Sequence, residues 1–122
     1  MHHVPGGQER GALLEKMAAR LGPGGRLAVS FWQFGGDERF QRRMLAWGDL
    51  EEIDAGELEP GDFLLRWGSE EEDSTARRYC HYCDPQEAKR LVDRADLELI
   101  DSFRADGRTD DLNLYLLLAR RD

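Results

Sequence analysis

The run Leu21-Gly22-Pro23-Gly24-Gly25-Arg26-Leu27-Ala28-Val29-Ser30-Phe31-Trp32 joins a helix exit, a glycine turn and an apolar strand in twelve residues. Gly22 can take the left-handed conformation that ends a helix, Pro23 forbids its continuation, and Gly24-Gly25 permits a tight reversal. A β-strand should therefore start near Arg26. Ser30 is the sole polar residue from Leu27 to Trp32, so the strand should be covered on both faces, as in the middle of an α/β sheet.

Working outward on the amino-terminal side, Leu13, Leu14, Met17, Ala18 and Leu21 recur at helical spacing from Gln8 to Leu21, which predicts a helix packed on a sheet. Glu9, Arg10, Glu15, Lys16 and Arg20 should lie on its wet side. Before it, Met1 to Gly7 reads as a loop from the middle of a larger fold. On the carboxyl side, Phe34-Gly35-Gly36 breaks the structure, and Asp37 can cap a second helix with Phe40, Met44 and Trp47 on one face.

The span of about 34–76 is expected to be an insertion or lid, acidic from Gly48 to Thr75 and there of limited regular structure, with one short apolar piece at Phe63-Leu64-Leu65. Asp49 to Asp62 holds seven carboxylates and no base, and Glu70-Glu71-Glu72-Asp73 is a second block. Both read as solvated acidic faces, or as docking surfaces for a basic partner. Ala76 to Cys83 should be aromatic and extended. Asp84-Pro85-Gln86-Glu87 then opens a helix with an N-cap, a proline at the first helical position and a capping-box glutamate. Its inner face would be Ala88, Leu91, Val92 and Ala95. Leu97 to Phe103 and Leu112 to Ala119 are strands joined by a polar turn, hence antiparallel partners. The last strand should sit antiparallel between Leu27–Trp32 and Leu97–Phe103.

At 122 residues the chain has room for one small domain, read over 1–122 as a partial one. No apolar run is long enough to span a bilayer and no leader stands at the start, so a soluble, cytoplasmic protein is expected. The net charge of −8, from 17 basic and 25 acidic residues, argues against nucleic-acid binding by bulk electrostatics alone. Cys80 and Cys83 are half a zinc site at most, and three residues along a strand would put them on opposite faces. A reduced structural role follows, with no metal site.

A helix ending in Leu-x-Pro-Gly-Gly-x-Leu and running into an apolar strand resembles the second half of the class I S-adenosylmethionine-dependent methyltransferase fold. The antiparallel last strand is that fold's other mark. The resemblance implies a partial Rossmann-like sheet, here three carboxyl-terminal strands with flanking helices. It also implies that S-adenosylmethionine is gripped by a glycine-rich loop and an acid that this sequence does not contain. His2-His3, Gly24-Gly25-Arg26-Leu27 with Phe31-Trp32, Gly61 to Trp67, Arg78-Tyr79-Cys80-His81 and Asn113-Leu114-Tyr115 fall in an order and spacing similar to the tRNA wobble-uridine carboxymethyl methyltransferases. Cys80 stands where that family usually has a second aromatic, and Arg66 where it tends to have proline.

Methyl transfer to a carboxylate needs alignment and electrostatics more than a general base, because the attacking oxygen is already anionic. Arg78 is the candidate to grip that carboxylate bidentately, and His3 to hydrogen-bond it beside the strand ends. Trp32, at the carboxyl end of its strand, could stack on a base, as could Tyr79 and His81; Asn113 completes the substrate-binding candidates. Each also has a plain reading: Trp32 and Tyr79 as core, Arg78 as a partner for the acidic insertion, His3 as a loop residue. Three functions compete: an enzyme half that needs an amino-terminal half or second chain for its cofactor, a methyltransferase-like binding or assembly module, and half of a small-molecule methyltransferase. In the first, the outer edge of Leu27–Trp32 should pair with another chain or form a homodimer, with tRNA as a further partner.

Overall fold

In the computed structural model, residues 1–47, 54–68 and 76–121 are described. Two three-stranded antiparallel sheets carry the chain. Helix α1 (Gly7–Ala18) leads to strand β1 (Leu27–Trp32), the short helix α2 (Glu38–Gln41), and strands β2 (Met44–Leu45), β3 (Asp62–Arg66) and β4 (Arg77–His81). Helix α3 (Pro85–Arg94) and strands β5 (Leu97–Ala105) and β6 (Asn113–Arg120) complete it.

The organising turn works differently from the sequence expectation. α1 stops at Ala18, and Gly22 is not in the left-handed region; the positive φ of +72° belongs to Gly24. Gly22 to Gly25 form a β-turn closed by the Gly25 N–H donating to Gly22 O at 2.9 Å. Proline at its second position and a positive-φ glycine at its third are the type II pattern.

The first sheet has the order β1-β6-β5. β6 is antiparallel to both neighbours, so β1 and β5 run parallel with β6 between them, as the sequence implied. One face buries Val29, Phe31, Leu97, Leu114, Leu116 and Leu118 under Leu14 and Ala18 of α1 and Ala88, Leu91 and Val92 of α3. β1 is half-covered rather than sandwiched: Ala28 is exposed. Among the described residues no strand pairs with the other edge of β1.

The second sheet, β2-β3-β4, corrects the expectation of a lid with little regular structure. The second helix is also shorter than expected. α2 ends at Gln41, and Met44, assigned to its face with Phe40 and Trp47, enters a strand instead. Asp37 does cap α2, accepting from the Arg39 N–H at 2.8 Å. Phe63, Leu65 and Cys80 pack with Met44, Trp32, Phe34 and Phe40 in a second core. The two cysteines are free and divided: Cys80 belongs to this core and Cys83 to the first. The block Glu70 to Asp73 and the acids from Asp49 to Glu52 lie outside the described residues. Among the described residues, no helix is long and apolar enough to cross a membrane.

Gly61, just before β3, has φ +97°, and a Cβ there would meet Tyr82 O at 2.8 Å and the His81 ring at 3.1 Å. Both the backbone conformation and the space exclude a side chain. Gly61→Ala is expected to cost about 2–3 kcal/mol, read as a lowered midpoint in urea unfolding.

Candidate functional site

The amino-terminal segment runs between the carboxyl end of β1 and the end of β4. The His81 N–H donates to His2 O at 2.8 Å, which fixes its path. The His2 ring then sits edge-on to His3 at 4.2 Å and to Trp32 at 5.5 Å. His3 Nδ1 lies 3.1 Å from Tyr79 O and 3.8 Å from Cys80 Sγ. The fold thus brings His3, Trp32 and the strand Arg78-Tyr79-Cys80-His81 together, although 76 residues separate His3 from Tyr79.

Arg78 faces the same side of β4 as Cys80, pairing in register with Leu65. Its guanidinium lies 3.7 Å over the Trp67 ring, a cation–π contact that orients it while leaving its N–H donors free of carboxylate partners among the described residues. Neighbouring positive charge, from His3, the amino terminus and Arg78, adds to burial in pulling the His2 imidazole down to about 4, burial being the largest cause. His2 Nδ1 is buried without a hydrogen-bond partner.

This makes a pH prediction. The folded protein keeps His2 neutral, whereas an unfolded imidazole near pKa 6.5 takes a proton. Above pH 6.5 both states are neutral and His2 contributes nothing; as pH falls toward 4 the unfolded state alone binds the proton and stability is lost. About 2 kcal/mol should go in that window, since part of the ring still meets water. His2→Phe should flatten the urea midpoint across the same range.

Trp32 is 9% exposed, hemmed by Phe34 and Phe40 with ring centroids at 4.7 Å each, and so serves the second core. Asn113 stands directly opposite Trp32 in the β1–β6 register, but its amide donates to Asp106 Oδ2 at 2.9 Å, and Tyr115 donates to the same oxygen. Asn113 therefore shapes the β5–β6 hairpin turn.

Tyr79 and His81 do share one face, where they meet Asp62 rather than forming an open stacking surface. Tyr79 donates to Asp62 Oδ1 at 2.6 Å, and His81 Nδ1 approaches the same oxygen at 2.7 Å. His81, 1% exposed, turns Nε2 to Glu87 at 2.8 Å. Arg10 also reaches Glu87, at 3.1 Å, and Glu59 at 2.7 Å. Burial alone would raise the Asp62 carboxyl; the bonds from Tyr79, the Glu59 N–H and His81 outweigh it and hold Asp62 below its ordinary range. Glu59 is likewise held low, burial being outweighed by Arg10 and the Gly7 N–H. Glu59, Asp62 and His81 are close enough together to ligate a metal. Their donor atoms are committed to one another and to a buried guanidinium, the opposite of what a cation needs.

Two residues of this network contradict the sequence reading. Arg10, assigned to the wet face of α1, is 1% exposed. The signal was in the spacing, because Arg10, Leu14 and Ala18 recur every fourth residue on the buried side. Glu87 supplies the N–H that Asp84 caps, at 2.7 Å, but its carboxylate turns inward to Arg10 and His81. Burial pushes the Cys80 and Cys83 thiols up to about 11 and about 12, so neither is a ready thiolate.

An adenosyl group wants glycine backbone against its amino-acid end and a free carboxylate for its ribose. Near the end of β1 the described residues offer imidazole and aromatic rings, and the nearby acids Asp62 and Glu59 are spoken for. These residues alone do not form that cradle.

No protein-family model and no curated protein matches the sequence. Among solved structures, a SAM-dependent methyltransferase from Methanosarcina mazei aligns with a TM-score of 0.65 at 21% identity, over 98% of this chain and 54% of that one. The chain spans about half the length of that protein, and over that span it shares that protein's fold.

Proposed function

We propose that this chain is the carboxyl-terminal half of an S-adenosylmethionine-dependent methyltransferase that acts on a carboxylate, a carboxymethyl group on a tRNA wobble uridine. The observation that carries the reading is Arg78: a half-buried guanidinium set on Trp67, beside the His2-His3 segment, without a carboxylate partner among the described residues. Such a group is poised to take an anionic ligand in a bidentate grip.

In this reading Arg78 aligns the acceptor carboxylate, and His3 turns its Nδ1–H from the Tyr79 carbonyl to that carboxylate. The acceptor oxygen is anionic at neutral pH, so neither residue has to remove a proton. The donor is held by an amino-terminal half, in the same protein or on a second chain, seated along the edge of β1 that no strand covers among the described residues. The likeness to a methyltransferase twice as long supports that arrangement, as does the edge itself, since apolar edges seldom stay bare. A homodimer through the same edge is the competing assembly.

Titration calorimetry with S-adenosylmethionine tests the division of labour. No heat of binding is expected from this chain alone; binding is expected once the amino-terminal half is supplied. Tight binding by this chain unaided would refute it.

A further inference from the structure

The β2-β3-β4 sheet brings three arginines together. Arg66 on β3 pairs in register with Arg77 on β4, and the Arg66 N–H donates to Arg43 O at 2.9 Å beside β2. Directly paired residues of an antiparallel sheet project to the same face, with strands about 4.8 Å apart. Arg66 and Arg77 therefore project side by side on the face opposite Arg78, with the Arg43 backbone beside them in the turn that leads into β2. Arg66 and Arg77 are exposed and Arg43 is half-buried, and none makes an ion pair within the described residues.

Like charges facing each other across strands destabilise a sheet, so folding does not explain the row. The neighbours on that face suggest a ligand. Two residues inward on β4, on the same side, is Tyr79, whose ring lies 6.4 Å from that of Trp47. A line of cations with the Trp47 ring behind it is the composition of single-strand nucleic-acid surfaces, where guanidiniums meet phosphates and a ring meets a base, Tyr79 being tied to Asp62. The chain's net charge of −8 gives no general attraction for RNA, so any such binding must come from a local field of this kind.

We propose that Arg43, Arg66 and Arg77 form the surface that holds the phosphodiester backbone of single-stranded RNA. This deepens the methyltransferase reading and rests on its RNA substrate, by assigning the backbone to one face of β4 and the reacting carboxylate, at Arg78, to the other.

The test measures anisotropy of a short labelled single-stranded oligoribonucleotide with the chain and with its Arg66→Gln/Arg77→Gln variant, over a range of salt, alongside thermal melting. The expected result is a loss of affinity of about tenfold and a salt slope shallower by roughly 1.4, for two phosphate contacts removed. Melting temperature should hold or rise, because a like-charge pair has gone. Equal binding by the variant overturns the assignment of this surface while leaving the RNA substrate in place. A variant that melts lower marks the arginines as neutralisers of acids in the chain between them, and overturns it too. No binding by the chain itself overturns the surface; the acceptor role of Arg78 is then judged separately by methyl transfer in the complete enzyme.

Discussion

Asp62→Ala should lower the melting temperature by about 10–25 °C, the largest loss expected from any single polar substitution in this chain. One carboxylate oxygen takes both the Tyr79 hydroxyl and His81, at 2.6 and 2.7 Å, while the other takes the Glu59 N–H at 2.9 Å. Removing it strands three donors in a region where the His81 side chain is 1% and Asp62 4% exposed. Breaking a buried charged network from one side costs about 3–5 kcal/mol, and a domain of this size loses roughly 3–5 °C per kcal/mol. Asp62→Asn keeps the shape and one acceptor, so it should fall between wild type and alanine. Differential scanning calorimetry on the three proteins reads the order directly. If alanine and asparagine melt together near wild type, the network carries no weight in the fold.

The same network adds to the acid limb of stability. Asp62 and Glu59 are held below their ordinary carboxyl range in the folded state, so their contribution is present above the unfolded carboxylate pKa and lost as pH falls through the lower folded value. His2 acts earlier, between 6.5 and about 4, and the two effects run in the same direction.

The second large effect concerns activity. In the complete enzyme, Arg78→Ala is expected to lower kcat by about 10²–10³-fold, the usual loss when one charge-aligning group is removed from a reacting anion. Stability should change little, since exposed cation–π contacts are worth about 0.5–1 kcal/mol. Arg78→Lys keeps the charge but not the planar fork, so it should recover binding more than turnover. Parallel measurement of kcat, KM and melting temperature separates a positioning role from a structural one. Equal loss of turnover and stability would return Arg78 to the fold.

How far the sequence could be read depended on whether the determining chemistry was local. β1, α3 and the β5–β6 hairpin are set by residues within a few positions of one another: Pro23 with Gly24, Asp84 with Pro85, and two apolar runs flanking a polar turn. The second sheet is not local. β2 is two residues long and is a strand because β3 lies beside it, and β3 hides inside an acidic stretch as Phe63-Leu64-Leu65. Arg10 looked like an ordinary helix-surface charge and Glu87 like a capping-box glutamate; both turn inward because β4 delivers His81, and β3 Asp62, to the same place. Arg78, His3 and Trp32 were legible as candidates, and the fold does gather them. That Trp32 and His81 spend their surfaces on the interior follows from tertiary packing, which no spacing along the chain reveals.

The Arg10–Glu59–Asp62–His81–Glu87 network draws on both helices that cover the first sheet and on both long strands of the second. Neither sheet can open without ripping that knot, so backbone amides in β3 and in β6 should exchange with deuterium through the same global event. The molecule would then behave as one foldon, despite being built from two separate sheets.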